Sequence, residues 1–381
     1  MNRRADAVVI GGGVVGASIA YHLARRGFGR IILVERSYLA SGSTGRCGAG
    51  VRQQWGTKLN CVLARESVRM FERMDDELGY DRSIEFKQGG YLLLAYTDRE
   101  MSQFIKNVEL ERSLGIPASL LTPAEAKAIV PMLNANDVLC ATYCPTDGHA
   151  NPFHVTYAYA GAARRLGAEV MTFTEVKGIV VEKGKVARVV CNECSIDTPV
   201  VVNAAGPYSG LVAAMAGLEI PFWAERHQIL VTEPVEPALR PMVMSFSRRI
   251  YCQQTPHGSF IMGMGDPNEP HGFGTESSWR FLVDMAREIT RILPPVGDLK
   301  VVRQWAGLYD MTPDAHPILG ATPVEGFYLA CGFSGHGFML APVTGRLLAE
   351  IICDERPSVD ITGLDLGRFE RGELVVEPSV V

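Results

Sequence analysis

The sequence predicts an α/β protein. A Rossmann-like, doubly wound parallel sheet is interleaved with a second, α+β region built on a mainly antiparallel sheet. Three observations predict it. A short apolar run at 7–10 passes through Gly11-x-Gly13-x-x-Gly16 into a stretch of helical composition at 17–26 that stops at Gly27, and a second apolar run follows at 31–34. Strand, helix and strand within about thirty residues form the repeating unit of a parallel sheet. Beyond Ser83 the rhythm changes: strand-like runs at 91–96, 228–231 and 259–264 alternate with helix-like stretches at 98–114 and 123–129, as in an antiparallel sheet with helices on one face.

Segments 156–165, 169–172 and 200–204 return to the first rhythm, so the first domain is expected to be discontinuous. Its pieces are 1–83, 147–220 and 300–381, leaving 84–146 and 221–299 for the second domain. A chain of 381 residues with 47% hydrophobic content can bury two cores. A net charge of −5 without clustered Lys and Arg offers no surface for nucleic acid, so a small-molecule substrate is expected. Arg3 and Arg4 before an apolar run imitate a secretory signal, but Gly11, Gly12, Gly13 and Gly16 interrupt the run and His22 and Arg25 follow, as in a buried strand and helix. No run reaches the roughly 18 apolar residues of a membrane span. Nine cysteines, an odd count without regular spacing, suggest a reducing, cytoplasmic compartment. Cys191 and Cys194 have CxxC spacing but no second such pair, and Cys140 and Cys144 lie further apart. With four ligands needed for zinc or an iron–sulfur cluster, no metal site is expected, and Asn192-Glu193 reads as a hairpin turn.

The chemistry begins at the glycine fingerprint. The first glycine permits a tight turn, the second lets backbone approach a pyrophosphate, and the third packs helix on strand. The N–H groups of the helix start, at Val14 and Val15, and its positive dipole end favour phosphate. Glu35 ends the second strand, where an acid accepts hydrogen bonds from ribose hydroxyls. The fingerprint alone leaves open whether the dinucleotide carries nicotinamide or flavin. Two further segments of small residues bear on that choice. Residues 41–50, Ser-Gly-Ser-Thr-Gly-Arg-Cys-Gly-Ala-Gly, can approach a flat ring closely, or can be a surface loop. Residues 332–339, Gly-Phe-Ser-Gly-His-Gly-Phe-Met, precede a helix-like run at 342–352 whose N-terminus favours negative charge, or form an ordinary glycine turn. A lone histidine such as His336 is more often structural than catalytic.

Together with Val202-Asn203-Ala204-Ala205-Gly206-Pro207 and the stretch 305–320, these segments resemble the D-amino-acid oxidase and sarcosine oxidase superfamily over nearly the whole chain. Within it, Arg46-Cys47-Gly48, 51–54, 149–153 and 368–374 look like the β subunits of heteromeric dye-linked L-proline dehydrogenases and related sarcosine-oxidase β-like subunits. The resemblance implies a glutathione-reductase type FAD domain, with the flavin at the junction with the substrate domain. It implies Gly11, Gly13, Val14, Val15 and Gly16 at the phosphates, Glu35 and Arg36 at the adenosine ribose, and Val176 at the adenine. Ala205 and Gly206 fall at the phosphate and ribitol; Arg46, Cys47, Gly307, Gly335, His336, Gly337, Phe338 and Met339 line the flavin; Ser43, Thr44, Gly50, Gly332 and Ser334 are further cofactor contacts.

Departures from the family carry information too. Gly307 stands where monomeric sarcosine oxidases attach FAD through a cysteine, so non-covalent FAD is expected. Ile261 stands at the position of a lysine that promotes reaction with oxygen, which favours a dehydrogenase. Tyr309 and Met339 replace an arginine and a lysine that relatives use for the substrate carboxylate. Arg52 is the matching cation that remains, with Tyr251 and Tyr309 as hydrogen-bond donors; its competing reading is a salt-bridged structural arginine. His336, His227 and Trp305 complete the expected pocket wall, with Arg303 in reserve as a cation. The implied reaction is oxidation of the C–N bond of a secondary amino acid (L-proline, hydroxyproline or sarcosine class) to an imine by hydride transfer, with no general base assigned. The electrons are expected to pass to a second redox subunit, or to a dye or quinone. An oxygen-using oxidase and a non-catalytic FAD-bearing subunit are the alternatives. By the same analogy, FMN at a subunit boundary falls near His149 or His154.

Overall fold

In the computed structural model, which describes residues 2–377, a six-stranded sheet has the spatial order Ile318–Ala321, Phe327–Cys331, Val201–Asn203, Ala7–Ile10, Ile31–Val34, Glu169–Met171. Every pairing is parallel except that of the first two strands. The apolar runs read as strands become central because both of their faces are covered. Ala7 and Val9 point into a core shared with the helices Val14–Arg25, Pro152–Arg165 and Gly337–Ile352. Val8 and Ile10 point the other way, into a core shared with a four-stranded sheet of Asn2–Arg4, Ser195–Asp197, Lys185–Cys191 and Val176–Glu182. Such continuous apolar strands are the signature of a two-sided parallel sheet.

The second sheet has eight strands, in the order Val301–Met311, Trp223–Pro234, Ser259–Met264, Ile250–Gln254, Met242–Ser245, Tyr91–Ala95, Cys140–Cys144, Ser119–Leu121. All pairings are antiparallel except Met242–Ser245 with Tyr91–Ala95. Strand alternation divides its residues. Leu92, Leu94, Val243, Cys252 and Met262 pack under the helices Pro123–Ile129 and Trp279–Ile292. Tyr91, Leu93, Met242, Met244, Ile229 and Tyr251 form the opposite face, which looks toward the first sheet. The strand Val301–Met311 pairs along its length with this second sheet, although it lies in the 300–381 segment.

Several elements differ from the sequence expectation. The run read as a strand at 228–231 extends over Trp223–Pro234, because its flanking polar residues pair with Val301–Met311 across the sheet. The helix read as starting at 342 starts at Gly337 and carries Pro342 inside it. Proline reads as a helix start because its ring blocks continuation, but here neighbouring packing in the core outweighs one lost hydrogen bond. The helix Trp279–Ile292, with Phe281, Met285, Ile289 and Ile292 buried, has no counterpart in the sequence reading. Cys191 and Cys194 flank the Asn192-Glu193 turn as expected, the Cys191 N–H donating to the Cys194 carbonyl at 2.8 Å. All nine cysteines are free. Among the described residues there is no cluster of potential metal ligands, and no helix is long and apolar enough to cross a membrane.

Candidate functional site

One elongated cavity runs between the two sheets, from the glycine fingerprint to the aromatic face of the eight-stranded sheet. At its first end Gly11 has φ +115°, a conformation an L side chain rarely adopts, and a Cβ there would overlap the Ala204 carbonyl. Gly13 is the N-cap of the helix Val14–Arg25, whose first turn carries no acidic residue. An anion therefore meets the bare start of a helix. The Glu35 carboxylate is aimed by the Gly12 N–H at 2.7 Å and the Ser37 N–H at 2.8 Å. The Arg36 guanidinium lies 3.7 Å over the Tyr208 ring, and Tyr208 stacks on Phe273 at 5.1 Å.

The middle of the cavity is made by the two small-residue segments. Residues 43–47 are anchored to the strand Val301–Met311: Ser43 Oγ donates to the Leu308 carbonyl at 2.6 Å, and Arg46 Nη1 donates to the Ala306 carbonyl at 3.0 Å. The Val14 N–H donates to Thr44 Oγ1 at 3.2 Å, tying this segment to the fingerprint helix. Burial pushes the Cys47 thiol up to about 12, so it stays neutral. Opposite, Asp310 holds the second segment: its carboxyl accepts from the Gly332 N–H at 2.8 Å and its carbonyl from the Ser334 N–H at 2.8 Å. The helix that begins at Gly337 has no acid in its first turn either.

At the far end three aromatic rings stack in parallel, His227 lying 4.5 Å from Tyr309 and 5.9 Å from Tyr251. A Cβ on Gly263 would crowd the Tyr251 ring, so this glycine gives the ring its place. Burial pushes the phenols of Tyr91, Tyr251 and Tyr309 up and His227 down to about 4. Burial also lowers His336, with Arg52 and His316 adding to it. At neutral pH all of these groups are uncharged. Arg52, 1% exposed, reaches this end with its guanidinium 4.0 Å over the Trp55 ring and Nη1 donating to the Gln54 carbonyl at 2.6 Å. The His336 ring stands edge-on to Trp55 at 4.5 Å.

The cavity brings together the four expected substrate residues Arg52, Tyr251, Tyr309 and His336 with nearly all of the expected cofactor residues. Gly16 and Gly332 stand behind its wall. A Cβ on Gly16 would overlap the Gly11 carbonyl and one on Gly332 would press on Thr312, so both act through close backbone packing. Trp305 does not line the cavity; its Nε1 supports the Arg46 carbonyl at 3.0 Å. Arg303 lies 5.8 Å over Trp305, away from the wall. Ile261 packs against the aromatic face. His149 is buried in a bridge with Lys87, and His154 Nδ1 faces the Ser83 carbonyl at 2.9 Å; neither lines the cavity. Tyr91, Met242, Met244 and Tyr208 line it without having been singled out in the sequence. Alternation in the strands Tyr91–Ala95 and Met242–Ser245 is the signal that could have found the first three.

A dinucleotide carrying a flat ring fits this cavity, since a bare helix start, an aimed acid and a glycine-lined slot follow one another along it. Comparisons with known proteins agree. The family model described as DAO, FAD dependent oxidoreductase, matches residues 6–351. The chain is 31% identical over 378 residues to the sarcosine oxidase subunit beta of Arthrobacter sp, covering 98% of this chain and 93% of that protein. It is 30% identical over 381 residues to the mitochondrial sarcosine dehydrogenase of Homo sapiens, covering 96% of this chain but 41% of that protein. Among solved structures, the L-proline dehydrogenase from P. horikoshii superposes with a TM-score of 0.94 at 39% identity, covering 98% of this chain and 100% of that one.

Proposed function

Because this chain belongs to the DAO family of FAD-dependent oxidoreductases, we propose that it oxidises the C–N bond of a secondary amino acid such as L-proline or sarcosine to the imine. The observation that carries this reading is a buried guanidinium, Arg52, facing an uncharged aromatic cage at the flavin end of the cavity. Bound FAD supplies a hydride acceptor. Gly11, Gly13, Glu35 and Arg36 would hold its adenosine and phosphates, and segments 43–47 and 334–339 its ring.

The residues of the chain do the rest. Arg52 pairs with the substrate carboxylate, since an unpaired carboxylate in this cage would cost several kcal/mol. The protonated phenols of Tyr251 and Tyr309 donate hydrogen bonds to it. Met242, Met244, Ile229 and the ring stack exclude water, which favours the neutral amine over the ammonium. Only the neutral amine, whose lone pair stabilises the developing cation, releases hydride readily, so desolvation replaces a dedicated base. The amine proton leaves to solvent before the C–H bond breaks.

Apolar Ile261 at the position of the oxygen-activating lysine supports a dehydrogenase. Relatives that are named beta subunits support a heteromeric assembly, and we infer that the partner carries the next redox centre. Turnover with a one- or two-electron dye should exceed oxygen consumption by at least about tenfold with L-proline or sarcosine. Comparable peroxide production in air would instead favour the oxidase reading.

A further inference from the structure

One hairpin of the four-stranded sheet carries two cysteines that the reaction does not use. Its strands Lys185–Cys191 and Ser195–Asp197 pair Val189 with Ile196 and Val190 with Ser195, so Cys191 and Cys194 are the next opposed residues. The Cys191 N–H donates to the Cys194 carbonyl at 2.8 Å. Opposed residues of an antiparallel pair share one face, with Cα atoms about 5.5 Å apart, inside the range a disulfide spans. Both side chains pack on the core between the four-stranded and six-stranded sheets, Cys191 buried and Cys194 partly exposed. The turn between them also holds one end of the cavity. The Asn192 N–H donates to the Glu175 carbonyl at 2.9 Å, Asn192 Oδ1 accepts from the Glu175 N–H at 3.1 Å, and Asn192 Nδ2 donates to the Phe173 carbonyl at 3.3 Å. Phe173 has φ +54°, in the left-handed region that an aromatic residue rarely adopts, so its conformation depends on such contacts. Onward, the Phe173 N–H donates to the Ser37 carbonyl at 2.9 Å and the Thr174 N–H to the Glu35 carbonyl at 2.8 Å. Thr174, Glu175 and Val176 line the cavity beside Glu35 and Arg36.

We propose that Cys191 and Cys194 are a reversible redox site, closing to a disulfide that loosens the grip of residues 173–176 on the adenosine end of FAD. The inference rests on the placement of FAD given above. The oxidant is a small-molecule disulfide of the glutathione type. Cys194, the more exposed thiol, loses its proton and attacks one sulfur of the oxidant, forming a mixed disulfide and expelling one thiolate. The Cys191 thiol then gives up its proton and attacks Cys194 Sγ, and the second thiolate leaves. One protein S–S bond forms as that of the oxidant breaks, two electrons pass to the oxidant, and the two protons end on its thiolates. Burial, then Cys194 beside it, pushes the Cys191 thiol up to about 12, so Cys191 is the second to react. Under reducing conditions the pair stays open, as sensing disulfides do. Closure draws the two Cβ atoms from the about 5 Å of an opposed pair to about 3.8 Å, and Asn192, next in the chain, moves with Cys191. Its hydrogen bonds to Phe173 and Glu175 weaken together, and Phe173 loses a contact that holds its backbone.

The test uses the FAD-loaded full chain in glutathione buffers of set thiol-to-disulfide ratio. Free thiols are then alkylated and the peptides read by mass spectrometry. An internal disulfide between Cys191 and Cys194 that rises with the oxidised fraction and reopens with excess thiol is expected. In parallel, FAD release on dilution is followed by the recovery of flavin fluorescence. The Kd for FAD should be about tenfold higher in the oxidised protein than in the reduced one, the equivalent of about one hydrogen bond lost. Cys194→Ser should keep the reduced-state Kd under both conditions. Asn192→Ala should raise the Kd of the reduced protein and leave less than about twofold for oxidation to add. If no ratio closes the pair, or if the disulfide forms and the Kd stays within about twofold, the proposal is overturned while the placement of FAD stands. A response to oxidation that persists in Cys194→Ser overturns it too, since another thiol then carries the effect. If Gly13→Glu binds FAD with normal affinity, the placement of FAD fails and the coupling with it. Should Cys194→Ser not fold, Cys191→Ala takes its place with the same expected result and the same refutation.

Discussion

Replacing Arg52 with alanine separates the binding role of this residue from its structural one. The guanidinium is buried, stacked at 4.0 Å on Trp55 and tied by one N–H to the Gln54 carbonyl. A substrate carboxylate that accepts one charge-assisted hydrogen bond from it gains about 1.5 kcal/mol, and a bidentate pair up to about 4 kcal/mol. At about 1.4 kcal/mol per factor of ten, Arg52→Ala should raise the Michaelis constant for L-proline or sarcosine by roughly ten- to a thousandfold. Thermal stability should fall too, because Asp147 and Glu377 lose the cation beside them. That loss follows from either role, so it does not discriminate. The assay is steady-state dye reduction on protein with confirmed flavin content. An unchanged Michaelis constant at normal flavin content would refute the carboxylate contact and return Arg52 to a structural role.

Three further outcomes follow from the site. Gly13→Glu should abolish FAD binding, because the side chain occupies the pyrophosphate position and repels it; recovery of holoprotein with normal flavin content would show that the phosphates bind elsewhere. Acid precipitation should release all yellow colour as FAD, since Gly307, whose Cβ would lie 3.2 Å from Arg46 Cβ, stands in place of an attachment cysteine; flavin on the pellet would contradict this. Glu111 holds its proton more tightly folded, at about 8, than its ordinary value of 4.5. The folded state therefore binds more protons between those values, and stability falls as pH rises through that window, by on the order of a few kcal/mol. The melting temperature of Glu111→Gln relative to the natural protein should accordingly be higher at pH 8 than at pH 5, and an equal difference at both would exclude the effect.

What the sequence made legible is what depends on neighbours in the chain. The run at 7–10, the glycines after it and the run at 31–34 are local signals, and they fold as a parallel pair around a helix start. The pair Cys191 and Cys194 likewise resolves as a hairpin from its spacing alone. The helix Gly337–Ile352 was legible only from Pro342 onward, since its first turn is composed of residues that also suit a turn. Less legible still were contributions that meet only after folding. Tyr208 reaches Arg36, and Glu111, Asp147 and Glu377 converge on residues 53–57, across separations that no local pattern encodes. Trp279–Ile292 did carry a readable signal in Phe281, Met285 and Ile289, one helical turn apart on one face.

The central claim, that the cavity oxidises a secondary amino acid against bound flavin, is tested most directly by anaerobic mixing. Purified, FAD-loaded chain is mixed with L-proline, with sarcosine and with a primary amino acid such as L-alanine, and flavin absorbance is followed by stopped flow. Bleaching by at least one secondary amino acid, with saturating dependence on its concentration, and slow reoxidation on admitting air are the predicted results. Flavin that stays oxidised with every secondary amino acid would contradict the account and assign substrate chemistry to a partner subunit.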